Sequence, residues 1–424
     1  MSDKIRIVEA SNMLGLGGTE YVLQLFCKYF DKDIFDITVV GFYGGGPRAD
    51  ILTAMGVKVE LLNGDRNRFA EILKRTDVLH WHGSGRLDED VFSVVEKNKP
   101  RLVIQTNVFG KFYKGNKFNK LIDYDFYVSK MCLVRRMCRD GYSGVKYSAK
   151  RKLLYNPVDY GFIQENLPAY AAVRELREDL GLVDCFVAGR IGRADDHKFD
   201  LVAIDAIALL RHKIPKFRFL LVGATEKITK YVSKLGLDDI VIYVEPISDF
   251  KELLKYYCLL DVFVAASAIG ESFGMVIAEA MACGVPVVTI STPSKDNGQI
   301  ELVDNGITGY VVGSYDRLIC MAIMDLYINN NMASTLSNNS KNKIAKSYEA
   351  SRIVYSMQGF ILSKLSNNHM SENADSLIVD WNDTLIKEYK DRRKNLFQKP
   401  FLREIMNAKL KCLAKKCGLT GSDQ

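Results

Sequence analysis

The stretch that decides the fold is Gly270-Glu271-Ser272-Phe273-Gly274-Met275-Val276-Ile277-Ala278-Glu279-Ala280-Met281-Ala282-Cys283-Gly284-Val285-Pro286. Val276, Ile277, Ala280 and Met281 fall at helical spacing. Gly284 followed by Pro286 marks a helix stop, glycine just past the end and proline soon after. Upstream, Asp261-Val262-Phe263-Val264-Ala265-Ala266-Ser267 reads as a buried strand. The unit is therefore strand, loop, helix. It aims the backbone N–H groups of residues 273–276 out of a helix N-terminus, where an anion is stabilised. Glu271 lies in the turn, and Glu279 on the first or second turn of the helix. A ligand carrying both phosphate and hydroxyls would use both features; the blander reading is a surface helix with solvated glutamates.

Around this unit the chain reads as two α/β series. At 424 residues it exceeds one ordinary core, so two domains are expected. Strands are expected at 4–10, 37–42, 57–62, 78–82, 102–106 and 126–129, with helical patterns between several of them. A helix from about Ala171 to Gly181 opens the second series, with strands at 185–189, 217–223, 240–244, 261–266, 285–290 and 309–312. Strands alternating with helices imply parallel sheets covered on both faces. The expected division is a first domain at 1–165, a second at 166–365 and a basic, partly amphipathic extension at 366–424. The Asn/Ser-rich stretch 329–342 reads as a turn.

Composition narrows the class. Hydrophobic content of 48% and charged content of 26% fit a globular protein. The N-terminus carries no long apolar region of a secretory signal. No run of eighteen uncharged apolar residues occurs, since Leu253–Ile269 is interrupted by Lys255 and Asp261. Nine scattered cysteines with no CxxC pair argue for a reducing compartment and against both a disulfide framework and a zinc site. Residues 384–417 hold eleven Lys/Arg against three acids, so the chain's net charge of +7 belongs to the tail. Phe401, Leu402, Ile405, Met406, Leu410 and Leu413 add an apolar helical stripe to it, suited to an anionic membrane surface or to docking on the body. No nucleic-acid motif accompanies the basic tail. Lys111, Lys114, Lys117 and Lys120 would form a drifting stripe if helical, either a solvated face or a patch for anionic lipid or an acceptor diphosphate.

Other candidates follow strand ends, where open α/β sheets bind ligands. Gly15-Leu16-Gly17-Gly18-Thr19 joins the first strand to the first helix. Its glycines permit close backbone approach to a ligand, though the spacing is neither a dinucleotide fingerprint nor a P-loop. Gly189-Arg190-Ile191-Gly192-Arg193, with Lys198 five residues further on, could hold a diphosphate: an Arg fork on paired oxygens, Lys as a point charge. His82 ends the strand Asp77–Gly83, with His80 two residues deeper on the same face. His80 reads as a core residue. Gln105-Thr106-Asn107 ends the next strand. His197 beside Asp195 and Asp196 is not read as a metal site.

The Gly270–Pro286 string resembles the donor-site signature of the retaining, GT-B-fold glycosyltransferases of the "glycosyl transferases group 1" family, which carry Glu, seven residues and Glu in the same turn-to-helix context. The resemblance covers most of residues 4–365 and leaves the tail outside. It implies a fold of two doubly wound Rossmann-like domains facing across a cleft. It also implies that Glu271 contacts the donor sugar and Glu279 the ribose. The N–H groups at Phe273, Gly274, Met275 and Val276, with Gly17 and Gly18, would lie near the donor phosphates. Arg193 is preferred over Arg190 as Lys198's partner on the diphosphate. His82 and the Gln105–Asn107 stretch match cleft-facing positions, His82 beside the transferred sugar. The implied function is retaining transfer of a sugar from a UDP- or GDP-sugar to a glycan or lipid-linked acceptor, in cell-surface polysaccharide or glycolipid synthesis. No metal or other cofactor is implied, and no nucleic-acid partner. The expected location is cytoplasmic, peripheral on the inner face of the membrane. Two alternatives stay open: a UDP-sugar epimerase of the same fold, and a catalytically silent scaffold that binds membrane or polymer.

Overall fold

The computed structural model describes residues 4–113, 115–139, 150–291, 295–366, 376–380 and 382–398. The first series runs β1 (Ile5–Ser11), α1 (Gly18–Tyr29), β2 (Phe35–Gly41), α2 (Pro47–Ala54), β3 (Lys58–Leu61), α3 (Arg66–Leu73), β4 (Val78–Gly83), α4 (Glu89–Lys97), β5 (Leu102–Asn107), β6 (Tyr124–Tyr127), α5 (Lys130–Arg139) and β7 (Arg151–Leu153). Its central strands are buried along their whole length, as in β5. A strand buried on both faces needs helices on both, and a parallel sheet supplies them through its crossovers. Ile7, Val39, Ile104 and Phe126 pack with Val22 and Phe26 of α1 on one face. Val8, Val40, Leu79 and Val103 pack with Phe69 of α3 and Phe92 of α4 on the other.

The second series begins with α6 (Tyr160–Glu165) and α7 (Tyr170–Asp179). It continues through β8 (Phe186–Ile191), α8 (Val202–Leu210), β9 (Phe217–Val222), α9 (Glu226–Lys234), β10 (Val241–Val244), α10 (Phe250–Leu259) and β11 (Val262–Ala265). Then come β12 (Gly270–Glu271), α11 (Met275–Cys283), β13 (Val287–Ser291), β14 (Asp296–Asn297), α12 (Gln299–Leu302), β15 (Tyr310–Gly313) and α13 (Asp316–Ile328). The six-stranded sheet has the order β10-β9-β8-β11-β13-β15, and β12 pairs with β14 separately. All pairings within the six-stranded sheet are parallel. The protein is therefore two doubly wound α/β domains facing across a cleft, as the alternating pattern implies.

Helix α14 (Asn330–Ser347) replaces the turn expected at 329–342. The Asn329 side chain caps it by accepting from the Met332 N–H at 3.1 Å. Leu336, Ser340 and Ile344 then face inward at helical spacing. Ser337 and Ser340 donate to carbonyls at the end of α11, Gly284 and Met281. Polar composition hid a helix whose buried side is Leu336, Ser340 and Ile344.

Helix α15 (Ala350–Leu365) lies within the span expected for the second domain, yet its apolar stripe packs with the first. Ile353, Val354, Met357, Phe360 and Ile361 belong to the core that contains Val22 and Phe126. The Phe360 ring stands edge-on to Tyr124 and Phe126, at 4.7 and 5.2 Å between centroids. Beyond it, β16 (Val379–Asp380) adds antiparallel to β7, completing the eight-stranded order β16-β7-β6-β5-β4-β1-β2-β3. An ion pair between Lys152 and Asp380 accompanies that addition.

The lysine stripe is not a long helix. Lys111 precedes irregular backbone, only Lys117–Leu121 form a 3-10 turn, and Lys114 lies outside the described residues. Lys117 and Lys120 pair with Glu89 and Glu96 of α4, each at 2.8 Å. Asp383–Gln424 is a separate compact unit, whose described part is α16 (Asp383–Gln398). The apolar stripe at 401–413 lies outside the described residues. Among the described residues, no helix is long and apolar enough to cross a membrane.

One buried side chain ties the two domains together. Glu301 on α12 accepts from the backbone N–H groups of Lys130 and Met131 at 3.0 and 2.9 Å, and from the Tyr155 hydroxyl at 2.8 Å. It thereby caps the N-terminus of α5 with a negative charge, the sign that end favours. Beside it the Ser129 hydroxyl donates to the Ser272 carbonyl at 2.6 Å. Glu301→Ala would remove the acceptor of three donors, the buried Met131 N–H among them. We expect a loss of roughly 1–3 kcal/mol in thermal unfolding, with Glu301→Gln, which keeps one acceptor oxygen, falling between it and the parent.

Candidate active site

The strand ends of the two sheets enclose a cavity of about 350 Å³. From the first domain come Leu16 to Thr19 after β1, Tyr21, Arg48, Val108, Phe109 and Asn156. From the second come Arg190 to Arg193 after β8, Lys198, residues 246–248 after β10, residues 271–277, and Glu279. The structure thus brings Gly17, Gly18, Arg190, Arg193, Lys198, Glu271, Phe273, Gly274, Met275, Val276 and Glu279 to one place.

The local chain explains the placement. At Gly270, φ is +80°, and a Cβ there would stand 1.9 Å from the Asp296 carbonyl oxygen. Only glycine fits that approach, and the resulting β12–β14 pairing directs Glu271 to the cavity. There Glu271 meets Lys198 at 2.9 Å, both side chains partly exposed. Helix α11 starts at Met275 with Gly274 as its N-cap and no side-chain cap. Its first N–H groups are therefore available to an anion, as the spacing predicts.

The two arginines play unlike parts. Arg190 is buried, which lowers its guanidinium pKa to about 10 and leaves it charged at neutral pH. It donates to the Lys198 carbonyl at 3.0 Å and lies 5.0 Å from the Phe199 ring centre. It therefore braces the turn that carries Lys198. Arg193 is 63% exposed, with Asp195 at 3.9 Å, and can swing onto a ligand.

Glu279 is buried and accepts from the Tyr257 hydroxyl of α10 at 2.8 Å. Burial raises its carboxyl to about 7, against the opposing pull of Tyr257 and Arg48. Arg48 is buried too, bonded to Gln24 at 2.5 Å and stacked 5.3 Å from the Tyr21 ring centre. Tyr257 and Arg48 escaped the sequence reading. Tyr257 looks like any aromatic on a core helix, and Arg48, after a glycine run and Pro47, matches no motif.

His82 stands apart from these groups. It is wholly buried at the tip of β4, bonded through Nε2 to Glu9 of β1 at 2.6 Å, and is not among the cavity-lining side chains. His80 is a buried core residue, as expected, on the other oxygen of Glu9 at 2.9 Å. Glu9 is a carboxylate within the buried part of β1, which is the signal the sequence offered for it. Gln105 and Asn107 are buried and turned to Asp125, Gln105 donating to it at 3.0 Å. Burial raises the Asp125 carboxyl to about 6. Only Val108 and Phe109, just beyond that stretch, reach the cavity.

The carboxyl of Glu279 couples stability to pH. Its folded pKa lies above its ordinary 4.5, so the folded chain holds the proton longer than the unfolded chain. The folded state is then favoured below pH 4.5 relative to pH 7, and loses stability as pH rises through that window. Glu279→Gln should remove this component and gain roughly 1–3 kcal/mol at pH 8. Thermal melts of both proteins between pH 5 and pH 8 would show converging curves on the acid side; parallel curves would refute the assignment.

The comparisons with known proteins agree with this geometry. Residues 174–343 match the family model described as "Glycosyl transferases group 1". An uncharacterised 41.2 kDa protein of the cps region of Klebsiella pneumoniae is 25% identical over 59% of this chain and 68% of its own length. A GDP-mannose-dependent alpha-(1-6)-phosphatidylinositol monomannoside mannosyltransferase of Mycolicibacterium smegmatis is 32% identical, over 36% of this chain and 41% of its own length. This chain thus spans less than half of that enzyme. Among solved structures, Anabaena HepE in complex with UDP and glucose superposes with a TM-score of 0.70 at 19% identity, covering 85% of this chain and 99% of that one. At that identity the likeness speaks for the fold. Residues 174–343 thus match a glycosyl transferases group 1 domain, and the chain shares the two-domain GT-B fold of that solved structure.

Proposed function

We propose that the protein moves a sugar from a nucleotide-diphosphate sugar to a glycan or lipid-linked acceptor, with retention of anomeric configuration. The observation that carries this reading is the cavity between facing strand ends. There Arg193, Lys198 and the start of α11 supply positive charge, and Glu271 and Glu279 supply hydroxyl acceptors. In the reaction the bond from the anomeric carbon to the diphosphate breaks, the acceptor oxygen takes its place, and the acceptor's proton leaves with the diphosphate. Negative charge grows on the leaving group, and fixed positive groups at that spot supply the largest catalytic contribution. We assign Lys198, Arg193 and the N–H groups of 274–276 to the diphosphate, and Glu271 and His82 to the sugar. Glu279 takes the ribose, and Gly17 and Gly18 allow close approach to the phosphates. Arg190 holds Lys198 in place.

In this reading residues 1–165 form the acceptor side and 166–365 the nucleotide-sugar side, and no metal takes part. The likeness to a GDP-mannose-dependent enzyme and to a protein seen with UDP and glucose supports a UDP- or GDP-sugar as donor. The basic excess at 384–417 supports work at the cytoplasmic membrane surface, on acceptors for surface polysaccharide or glycolipid.

Two measurements test the reading. Thermal melts with UDP, GDP and ADP should show stabilisation by one nucleotide, by about 2.7 kcal/mol at a hundredfold excess over Kd, lost in Glu279→Ala. With the matching donor and a membrane acceptor extract, Lys198→Ala and Glu271→Ala should each slow nucleoside diphosphate release by about 100-fold or more. Transfer at the parent rate in both variants would refute the proposed site. Donor turnover without acceptor would favour the epimerase, and no nucleotide binding the silent scaffold.

A further inference from the structure

Outside the cavity lining, Glu9, His80, His82 and Thr106 form a buried polar chain across three adjacent strands. Glu9 is opposite His80 in the β1–β4 register, and His82 is opposite Thr106 in the β4–β5 register. His80 Nδ1 lies 2.9 Å from Glu9 Oε1, His80 Nε2 2.8 Å from Thr106 Oγ1, and His82 Nε2 2.6 Å from Glu9 Oε2. The Glu9 and histidine side chains have no exposed surface.

A carboxylate only accepts, so each ring nitrogen that touches Glu9 carries hydrogen. Burial alone would raise the Glu9 carboxyl, but the charge and hydrogen bonds of the two imidazoles outweigh it and bring it down to about 2. Burial and the neighbouring His80 lower His82 to about 4. At neutral pH, His82 is thus a neutral ring whose single hydrogen, on Nε2, is committed to Glu9. Its Nδ1 is a lone-pair acceptor, buried, and no donor among the described residues reaches it. A buried polar atom left unpaired costs roughly 1–3 kcal/mol.

A shared metal ion does not explain the cluster. The candidate ligand atoms lie within 4.8 Å of one another. The 2.6 and 2.9 Å separations, however, are those of proton bridges. Two ligands about 2.0–2.2 Å from one tetrahedral ion would stand about 3.3 Å apart or more. A purely structural carboxylate is no better an account. Position 9 shares its face with Ile7 and Val39, where an apolar side chain would pack without the several kcal/mol that desolvating a charge costs.

The strand position of His82 points to what the cluster does. His82 is the penultimate residue of β4, which lies between β1 and β5 in the sheet. The segments after both neighbours, Leu16 to Thr19 and Val108 to Phe109, line the cavity. We propose that Glu9 is a positioning residue: it fixes His82 as the Nε2–H tautomer and so presents Nδ1 as the acceptor for a hydroxyl of the transferred sugar. This rests on the reading of His82 as a sugar-orienting group. The logic is that of a carboxylate selecting an imidazole tautomer at an active site.

Glutamine at position 9 provides the discriminating test. Its amide has one acceptor arm and one donor arm, so it cannot accept from both imidazoles. Donation to His82 Nε2 would move the hydrogen to Nδ1 and turn the acceptor into a donor. The chain has five histidines, so ¹⁵N-histidine spectra of the full-length protein, assigned with His82→Ala, resolve the tautomer directly. We expect His82 protonated on Nε2 in the parent and on Nδ1 in Glu9→Gln. Glu9→Gln should lose about 10- to 100-fold in kcat, with donor KM and the nucleotide-induced thermal shift unchanged. An Nδ1–H tautomer in the parent overturns the proposal even if Glu9→Gln does not fold. So does parent-level kcat in Glu9→Gln when His82→Ala has lost it. Full activity in His82→Ala instead overturns the sugar-orienting reading on which the proposal rests.

Discussion

The cleft depends on one buried carboxylate, Glu301, which serves both domains at once. Its oxygens take two N–H groups from the start of α5 and a hydroxyl from Tyr155. Without an acceptor those donors would face each other across a water-poor interface, and burial penalises that strongly. The neighbouring bond from Ser129 reaches the carbonyl of Ser272, inside the loop that carries Glu271. The contact that joins the domains is thus continuous with the loop that carries Glu271. A shift of α5 would be felt at Glu271 through one residue of backbone.

Within the cavity, the charged groups are held by partners of their own. Lys198 and Glu271 neutralise each other at 2.9 Å, so neither pays for an isolated charge in a half-buried site. Arg190 gives up mobility to brace the carbonyl of Lys198, whereas Arg193 stays in solvent. The two arginines thus differ in physical terms: one is built into the turn, and the other extends into solvent beside Asp195. Tyr21 and Phe250, with ring centres 5.5 Å apart, set an aromatic contact between α1 and α10 at the same mouth.

Most of this fold was legible because its signals are local. Apolar runs gave β1 to β6 and the six strands of the second sheet within a few residues, though not β7 or β16, and Gly284 with Pro286 located the end of α11, which the structure closes with Gly284 at φ +80°. These cavity-lining residues of the second domain were legible for the same reason, since Glu271, Gly274 and Glu279 lie on one strand–loop–helix unit. What was hidden depends on distance in the chain. Tyr257 meets Glu279 across 22 residues, and Glu9 meets His82 across 73. Helix α15 returns to the first core after the whole second domain, and its stripe carries no mark of which sheet it will cover. Helix α14 was hidden by composition: asparagine and serine favour turns, but here Asn329 caps the helix and Ser340 bonds into the interface with α11.

The three buried glutamates show how partner count decides a carboxylate's role. Glu9 receives two imidazoles, and they draw its pKa down to about 2. Glu301 receives two N–H groups and a hydroxyl, yet burial still raises it, because its donors are neutral dipoles. Glu279 receives one hydroxyl and sits near 7. The first is a fixed charge, the second a joint whose two oxygens accept from both domains. The third is an acceptor with capacity to spare, since a carboxylate has about four lone-pair sites and Tyr257 uses one. In the proposed reading the ribose hydroxyls take up that capacity, and donating to Glu279 would favour its charged form. Nucleotide binding should then release a fraction of a proton near pH 7, so the measured binding enthalpy of nucleotide should depend on the ionisation enthalpy of the buffer at pH 6.5 and lose that dependence in Glu279→Gln. Buffer-independent enthalpy in the parent would mean that the ribose does not address this carboxylate.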